Sequence, residues 1–118
     1  MESSDWLDMI NTHVKWKQRL EAYIAGVRTE TFDGATVASD KTCILGKWIY
    51  SNAKVYKNIE VFEKVKGLHA DLHTYASMII TLTNDQEISS AKQLLDGDFS
   101  EISHHFKRDI VLLSKRVS

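Results

Sequence analysis

Apolar side chains recur every three or four residues along most of this 118-residue chain, and no proline interrupts them. Segments of this kind form amphipathic helices, because side chains three and four positions apart share one helical face. The spacing predicts helices over about 4–27, over a short stretch after Asp40, over about 54–83 and over about 88–117. We therefore predict an all-α fold, an antiparallel four-helix bundle of three long helices and one short helix.

The apolar stripe of each long predicted helix indicates the core. The last stripe advances in repeated steps of three, four and four residues, a period that suits a nearly straight helix. Residues 28–39, with several Thr, Asp and Gly, are predicted to form a loop, and residues 83–85 a turn. The stripes comprise Trp6, Ile10, Trp16, Leu20, Ile24, Val27, Val55, Ile59, Val61, Phe62, Val65, Leu68, Leu72, Ala76, Ile79, Ile80, Ile88, Ala91, Leu95, Phe99, Ile102, Phe106, Ile110, Leu113 and Val117.

Length and composition limit the class of protein. The length fits a single domain over residues 1–118. Fifteen basic and sixteen acidic side chains give a formal charge of -1, which disfavours nucleic-acid binding. The single Cys cannot form an intrachain disulfide, and no apolar run approaches the roughly 20 residues of a membrane helix. Together with an acidic first segment, unlike a signal peptide, these features predict a cytoplasmic protein with no membrane insertion.

Four side chains have the chemistry and the placement to share one metal ion. His69 and His73 are four residues apart on the third predicted helix, so both project from one face. His13 falls on the inward stripe of the first helix. Cys43 lies near the start of the short helix, where Asp40 is predicted as the N-cap and the helix dipole is expected to favour the thiolate that binds metal.

Each of these residues taken alone has a simpler interpretation. A lone His on an apolar face is more often a core residue than a ligand, and a lone Cys is usually a small buried hydrophobe. Taken together, the four residues favour a metal site, because three buried imidazoles and a thiol without a shared partner would leave polar groups unsatisfied. Three imidazole nitrogens and one thiolate suit tetrahedral Zn²⁺. A shell closed by four protein ligands leaves no position for an activated water, so we predict no catalytic residues.

Two motifs resemble those of a known family. The segment Cys43-Ile44-Leu45-Gly46-Lys47-Trp48 resembles the C-x-L/F-G-x-W signature of the bacterial chemoreceptor zinc-binding (CZB) domain. His69 and His73 match the H-x-x-x-H of that family, and His13, followed by Trp16, Lys17 and Leu20, resembles its first-helix histidine segment. The order and separations of these motifs also fit, and the similarity covers most of the chain, from about His13 into the fourth helix.

The resemblance implies a four-helix zinc module with His13, Cys43, His69 and His73 as its ligands. In the family, such modules are attached to cytosolic chemoreceptors or diguanylate cyclases, pass zinc status to the output domain, and work in dimeric proteins. Some members are thought to respond to oxidants through the zinc-bound thiolate. These 118 residues contain neither a receptor signalling hairpin nor a cyclase domain, so the resemblance does not say which output is governed.

Five further residues have less specific interpretations. Gly46 would allow close approach of a neighbouring segment, and Trp48 is expected either to cover the site or to be an ordinary core residue. Asp71 is interpreted as a solvated side chain rather than a partner of an imidazole. His104 and His105 are interpreted as surface or boundary residues, with a second weak metal contact as the alternative.

Three rival functions are weaker on the residues alone. A di-iron bundle would need two Glu-x-x-His pairs, and only Glu101 with His104 fits that spacing. A metal-free helical dimerisation or interaction domain would use the histidines as core residues, and metal content separates it from a zinc module. Nucleophilic catalysis by Cys43 with a histidine base has no accompanying oxyanion-hole motif.

Overall fold

The computed structural model describes residues 3–27, 39–41 and 43–117, and these residues form helices and short connections without a strand. The all-α class predicted from the sequence is confirmed. Most of the predicted loop over 28–39 lies outside the described residues. The elements are α1 (Ser3–Ile24), α2 (Ile44–Ser51), α3 (Ala53–Tyr56), α4 (Glu60–Asn84), α5 (Ile88–Leu94), a π-helical segment (Leu95–Phe99) and α6 (Ser100–Val117).

Contacts between the long helices define their directions. In the middle of α1 and α4 the rings of His13 and His69 lie side by side. At their carboxyl ends the hydroxyl of Tyr23 donates to the side chain of Asn84, so α1 and α4 run parallel. Phe106 of α6 packs against both His13 and His69, while α5 begins just after α4 ends, so α6 is antiparallel to both helices.

The parallel orientation of α1 and α4 is compatible with the predicted antiparallel bundle, in which the first and third helices point the same way. The connection from α1 to α4 spans residues 25–59 and includes α2 and α3. A connection of that length can return from one end of the molecule to the other, whereas a short loop would force neighbouring helices to be antiparallel. The crossover is the part of the chain that carries Cys43.

The core lies between α1, α4 and the α5–α6 unit and contains most of the predicted stripe residues. Val27 and Val55 are exceptions, exposed at 52% and 71%, because Val27 follows the end of α1 and Val55 lies on the short α3. Met9 and Tyr23 are buried although neither was predicted. The buried apolar residues are Trp6, Met9, Leu20, Tyr23, Ile24, Leu45, Ile49, Phe62, Val65, Leu72, Ala76, Ile79, Ile80, Ala91, Leu95, Phe99, Phe106, Ile110 and Leu113.

Two of the predicted helices are less regular than their stripes indicate. The predicted helix over 54–83 is divided by Ile59, whose extended backbone (φ -91°, ψ 112°) separates α3 from α4. The last helix contains a π-helical turn around Gly97, where the Ser100 hydroxyl donates to the Leu95 carbonyl at 2.6 Å. The apolar stripe continues through that turn, since Leu95 and Phe99 are both buried.

The predicted turn over 83–85 lies further along the chain. Thr83 is still helical and buried, and its hydroxyl donates to the carbonyl of Ile79. The reversal occurs at Asp85 and Gln86, where Gln86 adopts a positive φ of 65°. Among the described helices, none combines the length and hydropathy of a membrane-spanning segment.

Candidate metal centre

The four predicted ligand residues converge in the structure. One donor atom from each of His13, Cys43, His69 and His73 lies within 4.8 Å of every other. The histidines are buried and Cys43 is half-buried. Within the described residues, this is the one group of three or more potential ligand side chains close enough to share an ion. Residues that are 60 positions apart in the sequence thus form a single polar cluster inside an apolar core.

Cys43, His69 and His73 have nearly the spacing of a coordination shell. The Nε2 atoms of the two histidines lie 3.0 Å apart, and Cys43 Sγ lies 3.2 Å from His69 Nε2 and 3.6 Å from His73 Nε2. In a tetrahedral zinc site the bond lengths imply about 3.3 Å between two nitrogens and about 3.6 Å between nitrogen and sulfur. These three donors therefore need to move only a few tenths of an ångström to bind one ion.

His13 presents one free ring nitrogen because its other nitrogen is engaged. Nδ1 donates to the backbone carbonyl of Met9, 2.8 Å away and one turn earlier in α1. That hydrogen bond places the proton on Nδ1 and leaves a lone pair on Nε2, which is buried and has no hydrogen-bond partner among the described residues. A buried lone pair without a donor is costly unless a cation accepts it, so this nitrogen fits a metal ligand.

Burial keeps the imidazoles of His13 and His69 neutral, which is the form that binds metal. It lowers the pKa of His13, reinforced by the neighbouring His73 and partly opposed by the bond to Met9. Burial, together with His73 and His13, lowers the pKa of His69 to about 3. Both side chains are therefore neutral at physiological pH, and neutral imidazole is the ligand form.

Cys43 itself is the N-cap of α2, which corrects the prediction that Asp40 has this role. The helix begins at Ile44, and Cys43 Sγ accepts a hydrogen bond from the backbone N–H of Gly46 at 3.3 Å. The side chain next to the first helical residue is better placed to cap it than one three positions earlier. Asp40 instead accepts a hydrogen bond from the hydroxyl of Tyr50 at 2.6 Å.

The pKa of Cys43 is raised, so the predicted stabilisation of its thiolate by the helix N-terminus does not prevail. Burial raises the pKa of Cys43, and the charge of Asp40 raises it further. Backbone N–H groups of Gly46 and Leu45 lower it, as expected at a helix N-terminus, but the net direction is upward. Without a cation the thiol is therefore protonated at neutral pH, and binding of a metal ion must displace that proton.

The aromatic rings of Trp16 and Phe106 pack against the histidines of the cluster. The described contacts of Trp48 are with other aromatic rings. The Trp16 ring meets the His73 ring edge-on at 4.7 Å between centroids and lies 5.5 Å from His13. Phe106 packs against His13 from α6 at 5.3 Å. Trp48 packs in a separate aromatic cluster with Trp6, Tyr56 and Phe62.

Trp16 and Met9 contact the site but were not predicted to belong to it. The signal was present, because Trp16 lies three residues after His13 and the Met9 carbonyl four residues before it. Those are the separations at which groups meet on a helix. The remaining candidates lie outside the cluster: Asp71, Glu101 and His104 are exposed, and His105 is half-buried.

Gly46 is required by the backbone that lies against it. A Cβ atom at this position would overlap the carbonyl oxygen and carbon of Asp40. The predicted close approach is therefore confirmed, and the approaching group is the segment that leads into Cys43. Only a residue without a side chain lets that segment fold over the first turn of α2.

Fold and site together define a small helical domain with a three-histidine, one-cysteine cluster suited to a metal ion. A family model described as the chemoreceptor zinc-binding domain matches residues 13–80, more than half of the chain and the stretch with all four cluster residues. The chain belongs to this CZB family. No curated protein and no solved structure compared with the chain matches it.

Proposed function

We propose that this chain is a single zinc-binding regulatory domain, residues 1–118, with His13, Cys43, His69 and His73 as the zinc ligands. The observation that carries the proposal is the convergence of one donor from each residue within 4.8 Å inside the core. Membership of the CZB family supports zinc as the ion. The unpartnered Nε2 of His13 supports a cation at this position rather than a metal-free cluster.

Zinc fits this donor set better than other common ions. Mg²⁺ and Ca²⁺ prefer oxygen ligands, which three imidazoles and a thiolate do not provide. A di-iron site would need several carboxylates, and the cluster has none. With four protein ligands the bound ion would have no open position for water. Zinc would then act as a cross-link between helices, so we propose a regulatory role and no enzymatic activity.

The cross-link would join three helices at one point. His13 lies on α1, His69 and His73 on α4, and Cys43 at the start of α2. Zinc would hold α2 against the long helices as the fourth helix of the bundle. Zinc occupancy would then shift the position of α2, and an output domain or partner would sense that shift.

The proposed setting follows from family membership. We propose a cytoplasmic homodimer that modulates a chemoreceptor or a diguanylate cyclase outside this chain. Cys43 is the half-buried ligand and the oxidisable one. A peroxide would transfer one oxygen atom to Sγ and be reduced to water or an alcohol. The resulting sulfenate would be a poorer zinc ligand, which would make zinc retention responsive to oxidants.

Elemental analysis of the untagged protein tests this function. We expect about one zinc per chain. In Cys43→Ala we expect much weaker zinc binding with helix content unchanged, because α2 begins at the surface of the core. Ile44→Ala is the matched control, since Ile44 is the next residue and 71% exposed. A folded protein unable to take up zinc would identify a metal-free helical dimerisation or interaction domain instead.

A further inference from the structure

The segment before Cys43 is held in place by one exposed tyrosine. The hydroxyl of Tyr50, on α2, donates to the carboxylate of Asp40 at 2.6 Å. The ammonium group of Lys41 lies 5.3 Å from the centroid of the Tyr50 ring, which is within the range of a cation–π interaction. Tyr50 therefore contacts two of the residues that immediately precede the Cys43 turn.

The same ring also connects this segment to the helix that carries two histidines of the cluster. The ammonium group of Lys66 on α4 lies 5.5 Å from the Tyr50 ring centroid. Lys66 is three residues before His69 and seven before His73 on the same helix. We call Asp40, Lys41, Tyr50 and Lys66 the Tyr50 clamp. It joins α2, α4 and the segment leading to Cys43 at the surface above the cluster.

The backbone at Gly46 also lies against this segment. The Asp40 carbonyl occupies the space where a Cβ of residue 46 would lie, while the Asp40 carboxylate is bound by Tyr50. Asp40 is thus fixed through both its backbone and its side chain. Cys43 is only three residues further along, so the position of Sγ depends on where Asp40 is held.

The Tyr50 hydroxyl stays protonated over the whole physiological range. Its hydrogen bond to Asp40 raises the pKa of Tyr50 to about 12, with further contributions from partial burial and from the Asp40 charge. The phenol therefore remains a donor to the carboxylate. The ammonium groups of Lys41 and Lys66 lie over the same ring and add two cation–π contacts to this hydrogen bond.

We propose that Tyr50 is a positioning residue that holds Cys43 on the metal and sets the rate at which zinc leaves. This inference rests on the proposed zinc site. The three histidines are at most 5% exposed, whereas Cys43 is half-buried and carried by a short helix. Release of the ion must begin where a donor can move away into solvent, which is at Cys43. A clamp on the segment before Cys43 therefore slows that first step.

The test is the rate of zinc transfer from the loaded full chain to excess 4-(2-pyridylazo)resorcinol, a chromogenic chelator. Tyr50→Phe removes the hydrogen bond to Asp40 and keeps the ring. We expect zinc release to be about fivefold faster, since loss of about 1 kcal/mol from a barrier has that effect. Tyr50→Ala also removes the ring and both lysine contacts, so we expect release faster than in Tyr50→Phe.

Tyr23→Phe is the matched control. It also removes a tyrosine hydroxyl that donates to a side chain oxygen, here Asn84 at the end of the molecule away from Cys43. Its release rate should equal that of the parent. All variants should retain one zinc per chain, and the zinc-free forms of Tyr50→Phe and the parent should unfold at the same urea concentration, since Tyr50 is 38% exposed.

The outcomes separate the clamp from the zinc site itself. Equal release rates for the parent and both Tyr50 variants, with one zinc bound in each, would overturn the clamp and leave the zinc site intact. Acceleration by Tyr23→Phe as large as that by Tyr50→Phe would also overturn it, because the effect would then be general destabilisation. A parent that binds no zinc would overturn both proposals.

Discussion

The two halves of the proposed metal centre are supported in different ways. His13, His69 and His73 lie on long helices, are almost completely buried, and pack against Trp16 and Phe106. Cys43 is half-buried and is held by local contacts at the start of an eight-residue helix. The histidines are therefore inside the core, whereas Cys43 lies at its edge, beside the buried Leu45 of α2.

This difference indicates what a bound ion would do. The histidine positions are determined by the same packing that stabilises the whole domain, so they change little unless the core changes. The position of Cys43 depends on its hydrogen bond from Gly46, on the burial of Leu45 and Ile49 in α2 and, in our proposal, on the Tyr50 clamp and the ion. Zinc would therefore have its main structural effect on α2 and the segment before it, and a signal would arise there.

Removal of zinc should have the largest effect. When free zinc exceeds the dissociation constant a thousandfold, binding stabilises the folded state by about 4 kcal/mol. For a domain of this size that corresponds to about 15 °C in Tm. Calorimetry with and without a chelator measures it, and hydrogen exchange should show the loss of protection centred on α2. Loss of protection that is equally large over α4 would show that zinc stabilises the histidine half as much as it stabilises α2.

Phe106→Leu should have the next largest effect, because Phe106 is 2% exposed and packs against His13 and His69. We expect a loss of about 1–2 kcal/mol in the zinc-free protein, less than the 3–5 kcal/mol of a Phe→Ala change, together with weaker zinc binding. Leu112→Ala on the same helix is the control, since Leu112 is 51% exposed. Urea unfolding and a zinc competition titration measure both quantities. Weaker zinc binding with unchanged stability would contradict the account.

Gly46→Ala should weaken zinc binding more than it destabilises the domain. The new Cβ would displace the Asp40 backbone and with it Cys43, so we expect about tenfold weaker zinc binding, roughly 1.4 kcal/mol. The zinc-free protein should also lose about 1 kcal/mol, because a backbone group beside the buried Gly46 has to shift.

Gly67→Ala is the matched control for that substitution. Gly67 lies on α4, and a Cβ there would meet no atom within 4 Å. We expect a gain of about 0.5–1 kcal/mol in stability from the better helix former, and unchanged zinc affinity. If the two glycine variants had equal zinc affinities, the close approach at Gly46 would not position Cys43.

Substitution of His104 or His105 should have the smallest effect. Neither side chain belongs to the cluster, and their ring centroids lie 6.0 Å apart on the outside of α6. We expect His104→Ala and His105→Ala to keep one zinc per chain and to change stability by less than about 0.5 kcal/mol. Loss of zinc in either variant would show that the ligand set is wrong.

The fold and the histidine half could be predicted from the sequence because they depend on periodicity. Helical spacing places His13 on the same face as Trp6 and Leu20, and it places His69 and His73 one turn apart. Burial followed from those faces. The path of the connection between α1 and α4 could not be predicted in this way, because periodicity says which face of a helix is buried but not how an irregular segment runs.

The cysteine half depends on local geometry that periodicity does not contain. Asp40 is the better N-cap by propensity, yet Cys43 caps α2 because the helix begins one residue after it. The partner of Asp40 is Tyr50, ten residues away, and the partner of Gly46 is the Asp40 backbone. Those contacts form only after the segment folds over α2, so no local pattern identifies them.

X-ray absorption spectroscopy at the zinc edge of the loaded, untagged protein shows whether one ion binds Cys43 and the three histidines together. We expect four ligands: three nitrogen donors at about 2.0–2.1 Å with the outer-shell scattering of imidazole, and one sulfur donor at about 2.3 Å. In Cys43→Ala the sulfur contribution should disappear while the imidazole contribution remains. A parent spectrum with only nitrogen and oxygen donors would contradict the account, because zinc would then not connect Cys43 to the histidine half.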